Sequence, residues 1–255
     1  MLMVVLSHYF EWGEAAITNK GLAHFMASLG DPGVGIFFFL SGYALYKGYG
    51  NGFLNAKAAG KYFLGRFMGV YLPYIVIVGV INLMYGGFED PGSVLNFLIG
   101  KDYWFMAIIF ALYIAYGLTL CLPKYRMIII SLFVLDLSLW LYLSGYSVFW
   151  YDAIWCFPVG LIIAKYDGNW GFVKEGFTID IKDYVLSFIG RISLYIYMLH
   201  TFVYNRLALG LAEKGIELNW YLSTLISFII ACACGYLLNI AFSLWKRGRK
   251  GEKNS

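Results

Sequence analysis

Six ionisable side chains stand inside, or at the mouths of, strongly apolar stretches of this 255-residue chain: His8, Asp136, Asp152, Arg191, His200 and Arg206. A titratable group in such surroundings is costly and is by default a functional candidate. Histidine exchanges a proton near neutral pH, a carboxylate orients it or carries charge, and arginine holds an anion. These types suit proton transfer on a substrate hydroxyl or ion-coupled transport, and the residues alone leave both open. Each also has a plainer reading. His8 fits an interfacial histidine at a helix end, and Asp152 a carboxylate at a helix N-terminus, which the helix dipole favours. Asp136 and His200 fit groups hydrogen-bonded inside a helix bundle, and Arg191 fits an anchor at a helix end.

The elements that must position these groups follow from composition. Hydrophobic residues make up 61% of the chain and charged residues 13%, about half the charged share of a soluble domain. A soluble fold of this size cannot hide so much apolar surface. Aromatics at 20% suit a protein with two membrane interfaces to anchor. The expected fold is all-α, a polytopic bundle of transmembrane helices. A crossing helix needs roughly 20 mostly apolar residues. Spans are expected near 33–49, 67–85, 103–122, 127–146, 148–164, 186–211 and 220–245, with a fragment at 1–10 as an eighth. The domain expectation is one membrane domain over 1–245 and a basic tail over 246–255.

Charge placement gives orientation. Lys47, Lys57, Lys61, Arg66, Lys124, Arg126, Lys165, Lys174, Lys182, Arg191 and the five basic residues of the tail fall on one side, fifteen of the 19 in the chain. Lys20, Lys101, Arg206 and Lys214 fall on the other. The positive-inside rule then places both termini in the cytoplasm, with the chain in the cytoplasmic membrane. The net charge of +4 thus marks topology rather than nucleic-acid binding. The first apolar run, with seven residues before His8, is too short to cross alone, and a start further upstream is expected. Segment 50–66 reads as interfacial, offering Lys and Arg to headgroups or an anionic ligand. Segment 165–183 reads as a cytoplasmic loop. Cys121, Cys156, Cys232 and Cys234 lie in or beside apolar runs and read as packing residues, not a disulfide framework or metal site. No internal repeat of the kind seen in inverted-repeat transporters is visible.

Depth separates the candidates. Asp136 lies ten residues past Arg126, about 15 Å into its span, and His200 nine past Arg191, at a similar level. Ser41 belongs to this middle group. His8, Asp152 and Arg206 lie near the outer rim.

Several motifs point to one family. Gly33-Val34-Gly35-Ile36-Phe37-Phe38-Phe39-Leu40-Ser41-Gly42-Tyr43 resembles the glycine, Phe-Phe and Ser-Gly-aromatic signature of the acyltransferase-3 family of integral membrane acyltransferases. Upstream, Val4-Val5-Leu6-Ser7-His8 is similar to that family's first helix, which ends in a histidine. Lys61 to Arg66 followed by Leu72-Pro73-Tyr74 resembles its basic stretch before a proline, with Val70 where a second arginine is often found. Tyr103-Trp104-Phe105, Phe157-Pro158-Val159-Gly160 and the segment from Gly190 through Ser193 and Tyr197 to His200 resemble further family segments, in the family's order.

The resemblance implies acyl transfer, usually of acetyl from acetyl-CoA, to hydroxyls of carbohydrates outside the cytoplasm. It implies that His8 is the catalytic base. Acyl-CoA is then a donor substrate and no other cofactor is expected; the acceptor is a carbohydrate or glycolipid and nucleic acid is no partner. Lys57, Lys61 and Arg66 are expected to meet the donor's phosphates, Ser41 and Gly42 its pantetheine arm, and Trp104, Arg191 and His200 to line the substrate path. Depth alone offers Asp152 or Asp136 to orient the histidine. A carrier or flippase of a lipid-linked product, or an inactive homologue, is the alternative.

Orientation is directly testable. With the native cysteines replaced, a cysteine at position 20 should react with an impermeant maleimide in intact cells, and one at position 250 only after permeabilisation. The reverse pattern would invert the topology.

Overall fold

The structure, a computed structural model, describes residues 1–13, 17–50, 52, 56–101, 103–166, 184–216 and 219–251; side chains of 184–191, 212 and 246–251 are not among those described. The expected loop 165–183 therefore falls largely outside it. The described residues are helical and contain no strand. The helices are α1 (Leu2–Trp12), α2 (Lys20–Ala27), α3 (Gly30–Tyr49), α4 (Ala56–Arg66), α5 (Leu72–Tyr85), α6 (Pro91–Ile99), α7 (Trp104–Thr119), α8 (Arg126–Leu143), α9 (Cys156–Tyr166), α10 (Tyr184–Ala212) and α11 (Trp220–Gly251).

By length and composition five described stretches can cross a membrane: Lys20–Tyr49, Ala56–Tyr85, Arg126–Leu143, Val148–Tyr166 and Trp220–Trp245. A sixth arises if Pro91–Ile99 and Trp104–Thr119, bent by 61°, form one span. Leucines and isoleucines stay exposed along them, among them Leu132, Leu135 and Leu139 of α8 and Leu222, Leu225 and Ile229 of α11. Side chains so placed are stable in hydrocarbon, and the protein is a multi-pass membrane protein.

Two boundaries differ from the sequence expectation. Segment 50–66 was expected to lie along the interface, yet Ala56–Arg66 is helix and runs through a π-helical turn, Phe67–Tyr71, into α5. Its alanines, lysines and leucine are strong helix formers that outweigh two glycines. The last helix passes the expected end at 245 and continues to Gly251, since lysine and arginine both favour helix and complement its C-terminal dipole.

Helix α6 shows local sequence setting a start and a stop. Asp90 caps it through the amides of Gly92 and Ser93, Ser93 returns a bond to the Asp90 amide, and Pro91 takes the first position. Gly100, at φ 81°, ends it in the left-handed conformation that glycine adopts without strain.

The chain divides into two compact units. One comprises Met1–Leu29, Pro73–Tyr85 and Asp180–Ser255, the other Gly30–Leu72 and Gly86–Ile179. In the first, α10 packs along α11, α1 packs on α2, and the Ser7 hydroxyl donates to the Ala27 carbonyl. Trp220 lies directly over Gly13, where any Cβ would overlap the indole.

In the second unit α3 and α9 share the most extensive contact. A Cβ at Gly42 would lie 2.2 Å from the Phe157 carbonyl oxygen, and one at Gly160 2.1 Å from that of Phe39. The two backbones therefore meet through reciprocal glycines, the small-residue packing by which membrane helices gain dispersion contact. The close approach that Gly42 permits in this structure is that of α9. Overpacking costs about 1–3 kcal/mol even where neighbours are side chains that can adjust. Gly42→Ala and Gly160→Ala should each lower the thermal unfolding midpoint of the detergent-solubilised protein. Gly48→Ala, with nothing within 4 Å of the added carbon, should leave it unchanged or raise it; equal effects at all three would refute the reciprocal contact.

Candidate active site

Two histidines separated by 192 residues meet in the first unit. His8 Nδ1 lies 2.8 Å from His200 Nε2, with the rings stacked at 5.1 Å between centroids. Position 8 is one turn before the end of α1 and half-buried, while His200 is 2% exposed on α10. The other nitrogen of His200, Nδ1, faces the carbonyls of Tyr197 at 2.7 Å and Ile196 at 3.2 Å on its own helix.

These distances fix where the protons sit. A carbonyl only accepts, so His200 Nδ1 carries hydrogen. A buried imidazolium without a carboxylate beside it is costly, so His200 is neutral and its Nε2 presents a lone pair. The Nδ1 of His8 must then donate to it, and in the neutral ring this leaves His8 Nε2 unprotonated and able to accept a proton. The Thr201 hydroxyl, 3.3 Å from His200 Nε2, adds a second donor to the same lone pair. The helix carbonyls thus dictate the tautomer of a ring two bonds away.

Aromatic side chains enclose the pair. Trp12 lies 5.6 Å from the His8 ring and 6.3 Å from that of His200. Tyr9 meets His200 edge-on at 6.2 Å, and Tyr204 packs on both Tyr9 and Trp12. The Tyr9 hydroxyl is buried without a hydrogen-bond partner. Glu11, exposed three residues beyond His8, puts a negative charge one turn away on the same helix.

The remaining expected residues occupy several places. Arg66 ends α4 and stacks its guanidinium 5.6 Å above the Tyr113 ring. The Tyr113 hydroxyl reaches Ser41 Oγ of α3 at 3.5 Å, a long contact, so Tyr113 stands between two expected site residues. Lys57 and Lys61 are exposed on α4. Trp104 opens α7 against Phe149 and Trp150, at 5.3 and 5.9 Å. Asp152 is exposed and accepts from the Ala153 amide at 2.6 Å, a carboxylate satisfying a helix N-terminus. It shares an open cavity of about 480 Å³ with Asp31 and Cys156. Asp136 stands on the exposed face of α8 and has no hydrogen-bond partner among the described residues. Arg191 lies in α10, its side chain outside those described. Arg206 caps the Tyr85 ring at 4.4 Å.

Two residues of consequence were not singled out in the sequence. Tyr113 is one of 22 tyrosines and no local pattern marks it. Arg126, read there only as a topology marker, is 1% exposed. It donates from Nη1 to the Gly50 carbonyl at 2.7 Å and stacks on Tyr116 and Tyr46.

Proton placement in the pair is measurable by long-range ¹⁵N–¹H spectra of histidine-labelled protein in nanodiscs. Hydrogen is expected on Nδ1 of both His8 and His200, with both Nε2 atoms unprotonated. In His200→Ala the His8 signal should lose its single-tautomer pattern. A wild-type His8 protonated on Nε2 would refute the arrangement.

A family model described as "Acyltransferase domain", that of the acyltransferase-3 family, matches residues 1–179. No curated protein and no solved structure matches the chain.

Proposed function

The chain belongs to the acyltransferase-3 family and is a membrane acyltransferase; from this we propose that it moves an acyl group, acetyl in the simplest case, from acyl-CoA to a hydroxyl of a cell-surface or exported carbohydrate. The observation that carries the reading is the hydrogen-bond relay from the Tyr197 and Ile196 carbonyls through His200 to His8. It supplies what such a transfer needs, a neutral imidazole with a free lone pair.

A sugar hydroxyl is a weak nucleophile until its proton is removed during attack. In the proposed reaction His8 Nε2 takes that proton as the hydroxyl oxygen bonds to the thioester carbonyl carbon. The tetrahedral adduct then expels the CoA sulfur, which receives the proton from His8, giving an ester and a free thiol. His200 is a positioning residue, since it acts through His8. Glu11 favours the imidazolium that forms transiently. Lys57 and Lys61 are the proposed cations for the donor's phosphates. We place the protein in the cytoplasmic membrane with both termini inside, so that donor and acceptor come from opposite sides.

The test is ester content of surface glycan, read by proton NMR, in cells lacking the gene and complemented with matched levels of wild type or variants. Wild type should restore O-acetyl signals. His8→Ala should fail, since loss of a general base costs about 10²–10⁴-fold. His200→Ala should be reduced, with an altered pH profile in membrane assays because the tautomer is released. Equal restoration by His8→Ala and wild type would remove His8 as the base. No restoration by wild type would overturn acetyl transfer to that glycan while leaving family membership intact.

A further inference from the structure

An apolar cavity of the second unit holds a single cation among its described lining residues. It measures about 570 Å³ and lies between α4, the π-helical turn, α6 and α7. Its walls are mainly Phe63, Phe67, Phe110, Ala111 and Ile114, and Arg66 is the one charged residue among them. The Nε of Arg66 is buried without a hydrogen-bond partner, and the guanidinium rests on Tyr113. The far wall is closed by the Tyr71 hydroxyl, which donates to the Leu98 carbonyl at 2.9 Å.

Three observations describe the occupant. First, several wall residues, including Phe63, Phe67, Leu98 and Ile114, are also exposed on their own apolar helices, so the cavity opens toward hydrocarbon and admits a molecule from the bilayer. Second, no carboxylate is among the described residues that line it, so none of them supplies the anion that a cation in apolar surroundings demands. Third, depth fits a lipid. The stretch Ala56–Tyr85 is about 45 Å long, against a hydrocarbon core of about 30 Å. Arg66 is ten residues in, so with the stretch upright and centred on the core it lies several ångströms inside the hydrocarbon edge, where an arginine still reaches the phosphate layer.

We propose that this cavity binds a membrane lipid bearing one anionic phosphate, with the phosphate on Arg66 and an acyl chain among Phe67, Phe110 and Ile114. A lone guanidinium matches one phosphodiester in charge, and the aromatic walls match a hydrocarbon chain.

The test uses the full chain in nanodiscs with a phosphatidylglycerol probe carrying a diazirine in one acyl chain, beside the matching phosphatidylcholine probe. After photolysis, peptides covering Phe63–Tyr71 and Ala107–Ile114 should carry more of the anionic probe, by about fivefold for one arginine–anion contact. Arg66→Gln should abolish the preference, and Arg66→Lys should keep part of it. Ala111→Phe, which fills the cavity and leaves the charge in place, should reduce labelling by both probes. Equal labelling of wild type by the two probes would overturn the proposal, as would a preference that survives Arg66→Gln. Displacement of the probe by palmitoyl-CoA but not by CoA would also overturn it and assign the cavity to the chain of a long acyl donor. If Arg66→Gln does not fold, the wild-type ratio and Ala111→Phe decide.

Discussion

Hydrocarbon offers no partner to a polar atom, so every N–H and O–H at membrane depth has to be answered by the protein itself. This chain answers many of them through carbonyls of neighbouring helices, whose oxygens keep a lone pair beyond the helix hydrogen bond. Tyr62 donates to the Tyr113 carbonyl and Tyr116 to that of Leu45, each joining two helices. Arg126 does the same with Gly50. The abundance of tyrosine follows from this need, because its ring is at home in an apolar core while its hydroxyl pins one helix to another. The histidine pair obeys the same rule. His200 spends its N–H on carbonyls of its own turn, and that expenditure decides what is left for His8.

The two units apply different packing solutions. In the second, glycine removes side chains from the seam so that α3 and α9 touch backbone to backbone. In the first, aromatic rings fill the space around the histidines, and glycine enters where Gly13 clears room for Trp220. A seam of glycines tolerates little change in spacing, whereas stacked rings enclose the histidine pair in apolar surroundings. The proposed chemistry resides in the unit built of rings.

The class of fold was legible in composition, and the helices lay largely where apolar runs placed them. His8 and His200 were each visible as titratable groups in apolar sequence. Their pairing was not, because periodicity shows which face of a helix is apolar but not which helix it will meet across 192 residues. Arg126 shows the opposite failure. A basic residue at the start of a span reads the same whether it faces headgroups or is buried, and only its bond to the Gly50 carbonyl distinguishes the two. Gly42 and Asp152 carried motif and depth signals, yet their local duties are structural, one admitting α9 and the other capping a helix end. Asp136, placed near mid-span by its distance from Arg126, stands on the exposed face of α8, a direction that depth along the sequence does not reveal.

The π-helical turn at Phe67–Tyr71 has a meaning beyond its place in the cavity wall. There the Leu72 amide reaches back to the Phe67 carbonyl, five residues instead of four, which is the trace one inserted residue leaves in an α-helix. Each residue turns a helix by about 100°, so such an insertion resets the phase of everything downstream. The boundary between the two units falls at Leu72 and Pro73, where this turn ends. Upstream, Tyr62 is buried in one unit; downstream, Tyr74, Ile77, Val78 and Ile81 are buried in the other. Each stretch of helix is thus buried within its own unit. Deleting one residue within the turn would restore ordinary pitch and shift the phase of the residues that follow by about 100° around the helix axis.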